Sequence, residues 1–441
     1  MNDQDVRKSQ DGITLPQDRN VIADLLAKGV GYDGVDRVLK IVRKHMGMDV
    51  AFVAHFRETD RVFEHVDSEG DAPIKVGQSI PLQDGYCLKV ARGELPEFIP
   101  NTADVPATQE LPETKSVPIG AHISVPIRLD TGEVYGTLCC FSYISDSTLN
   151  TRDLKMMRAF SEVLASHIDT RVQEQRDEAK KVALVRHALS VGVPRMVYQP
   201  VFNIRTGSVV GAEALSRFDV QPTLPPNEWF NLAHEAGLGY ELELLAIERA
   251  VASLPALQEP FFLCVNSSPE LIVSGRLAAV LEGVNLHRVV MEITEHMVVE
   301  DYDSLHEAFE PLRARGMRLA IDDAGAGYSS MRHIVNLRPE FIKLDMSLTR
   351  DIDKDPHRRA LARAMIAYSH DVGSIITAEG VETEAELRTL QSLGVDKAQG
   401  FYLGRPVGLA ELQRLQESCP PVVTMRVPVG NSGYYGSDAR G

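Results

Sequence analysis

The sequence predicts an α/β barrel in its second half, an α+β domain in its first half, and a long helix that joins them. Three observations predict this organisation. The 441 residues exceed what one hydrophobic core usually supports. The second half alternates short apolar runs with helical stretches, as buried parallel strands joined by helices do. Residues 153–190 contain neither Gly nor Pro, which favours one continuous helix.

The first domain is predicted to span residues 21–170, after a flexible segment of residues 1–20. Helices are expected from about Val21 and over Val35–Met46. The predicted strands are Val50–His55, Arg61–Val66, Ala121–Arg128 and Glu133–Tyr143. The last two flank Leu129-Asp130-Thr131-Gly132, which is typical of a hairpin turn. The segment Gly70–Ser116 is rich in Gly, Pro, Asp and Thr, so we expect loops and short elements there.

The long helix of residues 153–190 carries an apolar stripe in its first part. The stripe consists of Met157, Phe160, Leu164, Ile168 and Val172. One interpretation packs this face against the helix's own domain. The other pairs the helix in parallel with that of a second protomer, which would make a homodimer and couple the two domains.

The second domain is predicted over residues 191–417, followed by a flexible tail of residues 418–441. Polar residues close its apolar runs: Glu213, Asn266, Glu292, Asp322 with Asp323, Lys343 and Glu379. In a barrel the carboxyl ends of parallel strands meet at one rim. Carboxylates gathered there would repel one another unless divalent cations held them, and Lys343 adds a positive charge.

Composition narrows the classes of partner. A net charge of −16 disfavours a long nucleic acid, because binding its backbone requires clustered Lys and Arg. No apolar stretch is long enough to cross a bilayer, so no membrane insertion is expected. The amino terminus carries no apolar signal segment, and the five scattered cysteines do not suggest a disulfide framework. These features predict a cytoplasmic protein.

Seven motifs in order carry a resemblance to a known family. They are Glu-Ala-Leu-Ser-Arg at 213–217, Val-Asn-Ser-Ser at 265–268, Met-Glu-Ile-Thr-Glu at 291–295, Ile-Asp-Asp-Ala-Gly-Ala-Gly-Tyr-Ser-Ser at 321–330, Ile-Lys-Leu-Asp at 342–345, Ala-Glu-Gly-Val-Glu at 378–382 and Gln-Gly-Phe-Tyr at 399–402. In this order they resemble the EAL family of cyclic di-GMP phosphodiesterases. The resemblance implies a TIM-like barrel that uses two Mg²⁺ or Mn²⁺ ions to hydrolyse cyclic di-GMP to linear pGpG.

The resemblance also implies a role for each residue. The metal ligands would be Glu213, Asn266, Glu292, Asp322 and Asp323, and the catalytic group would further include Lys343, Glu379 and Gln399. Arg217 would contact a substrate phosphate, which its planar, permanently charged fork suits. Glu295 would support the loop from Asp323 to Ser330 without binding metal. Oxygen ligands of this kind suit hard divalent cations.

Two departures from the family pattern keep a second hypothesis open. Ala324 stands where the family usually has Phe, and Ala326 stands where it usually has Thr. Both lie in the loop that follows the paired aspartates. The alternative is therefore a catalytically weak or inactive cyclic di-GMP receptor that signals through dimerisation. A third interpretation treats the barrel as a protein-contact scaffold and predicts that Glu213→Ala leaves function intact.

The first domain resembles a GAF sensory domain. The resemblance rests on Ala121–Pro126, on Val-Tyr-Gly-Thr-Leu at 134–138 and on the long helix that follows. It implies regulation of the barrel by an effector at the GAF domain, expected to be a small molecule of unknown identity. Cys87 is followed by Leu88 instead of the histidine often found beside a bilin-bearing cysteine, so it is predicted to be a buried small hydrophobe. Cys139 and Cys140 are likewise predicted to serve packing.

Overall fold

The computed structural model describes residues 32–294, 301–325 and 329–418. The chain divides into two compact units, residues 1–177 and 178–441. The first unit contains α1 (Tyr32–Met46), β1 (Val50–Phe56), β2 (Asp60–Ser68), β3 (Ser79–Pro81), α2 (Tyr86–Ala91), β4 (Phe98–Ile99), α3 (Pro106–Gln109), α4 (Pro112–Ser116), β5 (Ala121–Arg128), β6 (Val134–Ser142) and most of α5 (Thr151–Ser190), with 3-10 turns at Leu82–Asp84 and Thr102–Asp104.

The first unit is an antiparallel sheet with two different faces. Its strand order is β3-β2-β1-β6-β5-β4, and all five strand pairs are antiparallel. Because side chains alternate along a strand, Cys139 and Cys140 of β6 point to opposite faces. Cys140 packs beneath the helices, and Cys139 faces α2 and the short elements between β2 and β5. The four predicted strands, the short elements and the hairpin turn are confirmed.

The helical face of this sheet holds the first domain's larger core. Val38 and Val42 of α1 pack there against Ala51 and Val53 of β1. The stripe predicted on the long helix lies in the same core, with Val172 at its partly buried end. The first part of α5 therefore packs on its own domain, which is the first of the two interpretations of that helix.

The second unit contains the end of α5 and a barrel with surrounding helices. Its elements are β7 (Arg195–Asn203), β8 (Val209–Arg217), α6 (Pro226–Glu235), α7 (Gly239–Val251), β9 (Phe262–Asn266), α8 (Pro269–Val273), α9 (Leu277–Val280), β10 (Val289–Thr294), α10 (Tyr302–Ala314), β11 (Arg318–Ala324), α11 (Ser329–Leu337), β12 (Phe341–Leu344), α12 (Met346–Thr349), α13 (Pro356–Val372), β13 (Ile375–Ala378), α14 (Glu384–Leu393), β14 (Lys397–Ala398) and α15 (Leu409–Ser418), with 3-10 turns at Leu254–Ala256 and Leu286–Arg288.

The barrel closes in the order β10-β11-β12-β13-β14-β7-β8-β9. The expectation of parallel strands holds for every pair except the two that involve β7, which runs antiparallel to both β8 and β14. The connection between Asn203 and Val209 is a tight turn, closed by Gly207 N–H donating to the Asn203 carbonyl at 2.8 Å. A parallel crossover needs a dozen or more residues, so this hairpin must reverse the chain.

Several sequence predictions fall outside the described residues. These are the flexible segment 1–20, the helix from about Val21, the support role of Glu295, the substitution at Ala326, and residues 419–441 of the tail. Ser418, predicted to begin the tail, is the last residue of α15. Among the described helices, none has the length and apolarity needed to span a bilayer.

Candidate active site

The interior of the barrel changes from apolar to polar along each strand. Toward the strand starts, Phe262, Val290, Ala320 and Phe341 pack together inside the barrel. Two residues further along β10, β11 and β12, the same inward face presents Glu292, Asp322 and Lys343. The intervening residues face the helices instead, as strand alternation requires. The barrel therefore has a packed floor and a charged layer toward the carboxyl ends of its strands.

This alternation corrects the expectation that each polar residue ends a strand. Asn266 ends β9, and Glu379 follows the last residue of β13. Glu213 lies in the middle of β8, and Glu292 and Lys343 are each followed by further strand residues. A strand must continue beyond its inward polar residue so that the outward neighbours can pack on the helices.

A local irregularity places both aspartates at the site. In a regular strand, Asp322 and Asp323 would point to opposite faces. The pairing of β11 with β12 shifts register between Ile321 and Ala324, and Asp323 adopts a left-handed φ of 55°. Bulges of this kind redirect side chains. One ligand atom each of Asp322, Asp323 and Glu379 consequently lies within 4.8 Å of the others.

Lys343 stands at the centre of the charged layer. Its Nζ lies 2.8 Å from Glu379 Oε1, 3.0 Å from both Glu292 Oε1 and Asp322 Oδ1, and 3.5 Å from Glu213 Oε2. The side chain is 3% exposed. Burial would lower the pKa of Lys343, but the four surrounding carboxylates raise it well above its usual value. The carboxylates therefore favour the charged ammonium form of Lys343.

Amide groups hold Glu213 from two sides. Gln399 Nε2 donates to Glu213 Oε2 at 2.6 Å, and Asn266 Nδ2 donates to Glu213 Oε1 at 3.5 Å. Gln399 Nε2 also donates to Gln199 Oε1 at 3.1 Å, and Gln199 Nε2 in turn donates to the Gly404 carbonyl at 3.3 Å. This series of hydrogen bonds determines that the NH₂ group of the Gln399 amide, and not its oxygen, faces Glu213. The buried Gln399 Oε1 finds no donor among the described residues.

Glu292 is the most deeply buried carboxylate of the layer. It is fully buried, and neither oxygen accepts a well-directed hydrogen bond from the described residues, although Oε1 lies near the Lys343 ammonium. Burial, with the charges of Glu213 and Asp322, raises the pKa of Glu292 to about 8 against the opposing effect of Lys343. Burial and Asp322 also raise the pKa of Glu379 well above its usual range.

These observations test whether the residues fit divalent cations. Glu213, Glu292 and Asp322 form one set of ligand atoms within 4.8 Å of one another, and Asp322 joins it to the set with Asp323 and Glu379. A site that binds cations is expected to show two features when no cation is bound. Its carboxyl pKa values are raised, and some of its buried carboxylate oxygens have no hydrogen-bond donor. Hard oxygen donors are also the ligands that Mg²⁺ and Mn²⁺ prefer. The residues fit two neighbouring ions that share Asp322.

A cavity of about 560 Å³ opens beside the charged layer. Arg217 and Asn266 line it together with Phe230, Asn231 and Glu243. Arg217 donates from Nη1 to the adjacent Ser216 carbonyl at 2.8 Å and is half-buried. Its position at the end of β8 presents a cation to whatever occupies the cavity. Glu243 accepts the Ser268 N–H at 2.9 Å, and burial raises its pKa.

The structure brings together most of the residues singled out from the sequence. Contacts join Glu213, Asn266, Glu292, Asp322, Lys343, Glu379 and Gln399, and Asp323 adjoins them. Arg217 lies apart from the charged layer and shares only the cavity with Asn266. Sequence reasoning missed Gln199. Its signal was available, because a hairpin turning near Gly207 puts Gln199 directly opposite Glu213.

The fold and the site define an α/β barrel whose mouth carries a candidate site for divalent cations, with a separate α+β domain before it in the chain. The family model of the EAL domain matches residues 183–406, about half of the chain, and that of the GAF domain matches residues 33–168. The chain therefore belongs to the EAL family and carries a GAF domain.

Curated relatives match about half of the chain. The uncharacterized protein y4lL of Sinorhizobium fredii is 33% identical over 246 residues, which cover 54% of this chain and 30% of that protein. The probable cyclic di-GMP phosphodiesterase PdeI of Escherichia coli is 28% identical over 253 residues, 54% of this chain and 32% of that protein. The chain thus spans about a third of the length of these curated relatives.

A solved structure resembles more of the chain. The EAL enzyme Bd1971, in its form bound to cAMP and cyclic di-GMP, superposes with a TM-score of 0.52 at 16% identity. It covers 83% of this chain and 92% of its own. At this identity the likeness concerns the fold.

Proposed function

We propose that the second domain hydrolyses cyclic di-GMP to linear pGpG in a reaction that depends on divalent cations. The observation that carries the proposal is the set of carboxylates from different strands that surrounds Lys343 inside the barrel mouth. Membership of the EAL family supports the substrate class, as does the similarity to the probable cyclic di-GMP phosphodiesterase PdeI. The seven family motifs in order, with their departures at Ala324 and Ala326, support the reaction class.

Glu213, Asn266, Glu292, Asp322 and Asp323 would hold two cations, Mg²⁺ or Mn²⁺. Bound there, the ions would polarise the phosphoryl oxygens and lower the pKa of water at the site. The chain's own contribution is geometric and electrostatic. Gln399 donates a hydrogen bond that would hold Glu213 in place. The left-handed backbone conformation of Asp323 would keep its carboxylate beside that of Asp322.

Lys343 and Arg217 supply the fixed positive charges. Four carboxylates surround the Lys343 ammonium and favour its charged form. This positive charge would offset negative charge that develops on the phosphate in the transition state. Arg217 faces the adjacent cavity, where its guanidinium can pair with a second phosphate oxygen of the substrate. Glu379, in contact with Lys343, is placed to accept a hydrogen bond from water at the reacting phosphorus.

The test is direct. Purified full-length protein is incubated with cyclic di-GMP and Mg²⁺ or Mn²⁺, and pGpG is measured by chromatography. We expect turnover that EDTA abolishes and that Ca²⁺ does not support, since Ca²⁺ adopts larger and looser coordination. Glu213→Gln should abolish turnover, whereas Glu282→Gln, at an exposed carboxylate remote from the site, should not. Normal turnover by Glu213→Gln would refute the assignment.

A receptor function is the second candidate, and one observation favours it. Ala324, which replaces the usual Phe of the family, is fully buried next to the two aspartates, so the packing beside the charged layer differs from the family pattern. A receptor would bind cyclic di-GMP without releasing pGpG in the same assay. Saturable binding combined with absence of product over hours would favour this reading over the hydrolase.

Regulation and assembly form a further part of the proposal. The GAF domain would control the barrel through α5, which passes from one unit into the other. We also propose a cytoplasmic homodimer, which light scattering of the full-length protein would test. A monomer at micromolar concentration with full catalytic activity would contradict the dimer as the working form.

A further inference from the structure

Two thiols meet inside the GAF domain. Cys87 lies on α2 and Cys139 on β6, and their sulfur atoms are 3.5 Å apart. Both residues are fully buried. Cys140, the neighbour of Cys139, belongs to the core on the opposite face of the sheet and is not part of this pair. The prediction that these cysteines serve packing holds for Cys140 but leaves out the contact between the other two.

A buried arginine stands against the pair. Arg61 of β2 is fully buried and donates from Nη1 to Cys87 Sγ. Its Nη2 lies 2.6 Å from Glu113 Oε1, and Glu113 Oε2 accepts the Tyr86 N–H at 3.0 Å. Gly85 makes room for this arrangement, because a Cβ there would stand 2.0 Å from Arg61 Nη2. The guanidinium therefore carries one carboxylate and one sulfur as its close partners.

The two sulfurs differ in their surroundings. Burial tends to raise the pKa of Cys87, but the contact with Cys139 and the charge of Arg61 lower it to about 7. Burial and the neighbouring Cys87 raise the pKa of Cys139 well above its usual value. Ser124 Oγ and Thr137 Oγ1 lie 3.0 and 3.2 Å from Cys139 Sγ. Cys87 is thus the thiol of the pair that ionises more readily and Cys139 the one that stays neutral, which is the arrangement of an attacking and a resolving cysteine.

We propose that Cys87 and Cys139 form a reversible redox site in which a hydroperoxide, of the class of hydrogen peroxide, converts the two thiols into an intramolecular disulfide. The proposal rests on the sulfur–sulfur contact and on the buried guanidinium directed at one of the sulfurs. It concerns the GAF domain alone and is independent of whether the barrel hydrolyses cyclic di-GMP.

The chemistry balances in two steps. The Cys87 thiol loses its proton, the thiolate attacks one peroxide oxygen and the O–O bond breaks, which leaves a sulfenic acid while the departing hydroxide takes up that proton as the first water. Cys139 then attacks the Cys87 sulfur, its proton combines with the departing hydroxide, and the S–S bond forms with release of a second water. Two thiols and one peroxide give one disulfide and two waters, with two electrons moving from the sulfurs to the peroxide. Reduction by a dithiol reverses the change.

Burial determines which oxidants can act. The sulfurs have no exposed surface, so a water-sized peroxide can reach them through local opening more readily than a peptide disulfide can. Formation of the disulfide also removes the negative sulfur from Arg61, which leaves Glu113 as its ionic partner among these residues. Cys87 and Glu113 both lie between β2 and β5, where the short elements of the GAF domain pack, so the loss of the thiolate changes the contacts of that segment.

The experiment uses full-length protein, reduced and freed of reductant. It is treated with hydrogen peroxide or with glutathione disulfide, quenched, denatured, alkylated and analysed by peptide mass spectrometry. We expect peroxide to link the Cys87 and Cys139 peptides with a loss of two mass units, dithiothreitol to reverse it, and glutathione disulfide to act at least tenfold more slowly. Because wild-type protein carries the measurement, it does not depend on the folding of a variant.

Variants identify the roles of the two sulfurs. Cys140→Ser should form the same link, whereas Cys139→Ala should trap Cys87 as a sulfenic acid that a dimedone reagent labels. Arg61→Lys keeps the charge and should link, while Arg61→Met should slow linkage at least tenfold. Three outcomes would overturn the proposal: a link from Cys87 to Cys419 or to another molecule, oxidation of Cys87 only to sulfinic or sulfonic acid, or no reaction at peroxide concentrations that oxidise free cysteine.

Discussion

Replacing Glu292 with glutamine should separate cation binding from folding. Glu292 is fully buried, and burial with the charges of Glu213 and Asp322 raises its pKa to about 8, which favours the protonated carboxyl at pH 7 when no cation is bound. Glutamine has nearly the same shape and the same neutral charge as that protonated form. In the presence of EDTA, Glu292→Gln should therefore change the free energy of unfolding of the barrel by about 1 kcal/mol or less.

The effect of cations should be much larger. At a free Mn²⁺ concentration one hundred times the dissociation constant, binding stabilises the wild-type barrel by about 2.7 kcal/mol. For a domain of this size such a gain raises Tm by roughly 5 to 11 °C. Glu292→Gln removes a ligand that contributes to the first cation set, so most of this shift should disappear.

One tryptophan makes the measurement specific to the barrel. Trp229 is the chain's single tryptophan, and it is buried against Phe218 at a ring distance of 5.3 Å in the second unit. Its fluorescence during heating, with EDTA or with Mn²⁺, reports unfolding around this residue. Glu282→Gln is the matched control and should keep the full Mn²⁺ shift. If Glu292→Gln kept it as well, Glu292 would not be a cation ligand, and a large loss of Tm in EDTA would show that its role is structural.

Three further predictions follow from the same contacts. Lys343→Met leaves four buried carboxyl groups without their ammonium partner, so in EDTA the Trp229 transition should show a loss of about 3–5 kcal/mol in the free energy of unfolding. Mn²⁺ should partly restore this stability while turnover stays absent, and unchanged stability in EDTA would contradict the prediction. Gln199→Leu removes an acceptor of the Gln399 amide, which itself holds Glu213. It should therefore reduce kcat roughly tenfold or more with little change in KM. A change confined to KM would indicate that Gln199 contacts the substrate instead. The rate of peroxide reaction at Cys87 should rise with pH around a midpoint near 7, because burial and Glu113 oppose the thiolate but Cys139 and Arg61 favour it more strongly. In the Cys139→Ala protein the contribution of Cys139 is absent, so the midpoint measured by stopped flow should lie higher. Equal midpoints in the two proteins would show that Cys139 does not stabilise the thiolate.

Much of the fold could be read from local patterns. The strands Ala121–Arg128 and Val134–Ser142 are rich in apolar and β-branched residues and flank a turn, and the long helix has no Gly or Pro that would interrupt it. The reversal of β7 was also within reach, since the turn near Gly207 is too short for a crossover. The register shift at Asp322 and Asp323 could not be predicted in this way. It depends on pairing with β12, a strand that is close to the aspartates in space but separate from them in sequence.

The amino-acid sequence by itself determined which side chains carry the chemistry. Glu213, Glu292, Asp322, Lys343 and Glu379 stand out because charged residues beside apolar runs are rare in strands buried on both faces. Only the tertiary structure decided how these groups act on one another. Closure of the barrel brings Lys343 within 3.5 Å of four carboxylates and removes them from water, and both effects depend on chain segments that are distant in sequence.

The same distinction applies to the GAF domain. Cys87, Cys139 and Arg61 each looked ordinary in the sequence, since a cysteine in an apolar segment usually packs as a small hydrophobe. The antiparallel pairing of β1 with β2 and β6 and the packing of α2 on the sheet bury an arginine and two sulfurs together. Charge and reactivity at such a position are set by neighbours in three dimensions, because the energy of a buried charge depends on distance and on solvent exclusion and not on separation along the chain.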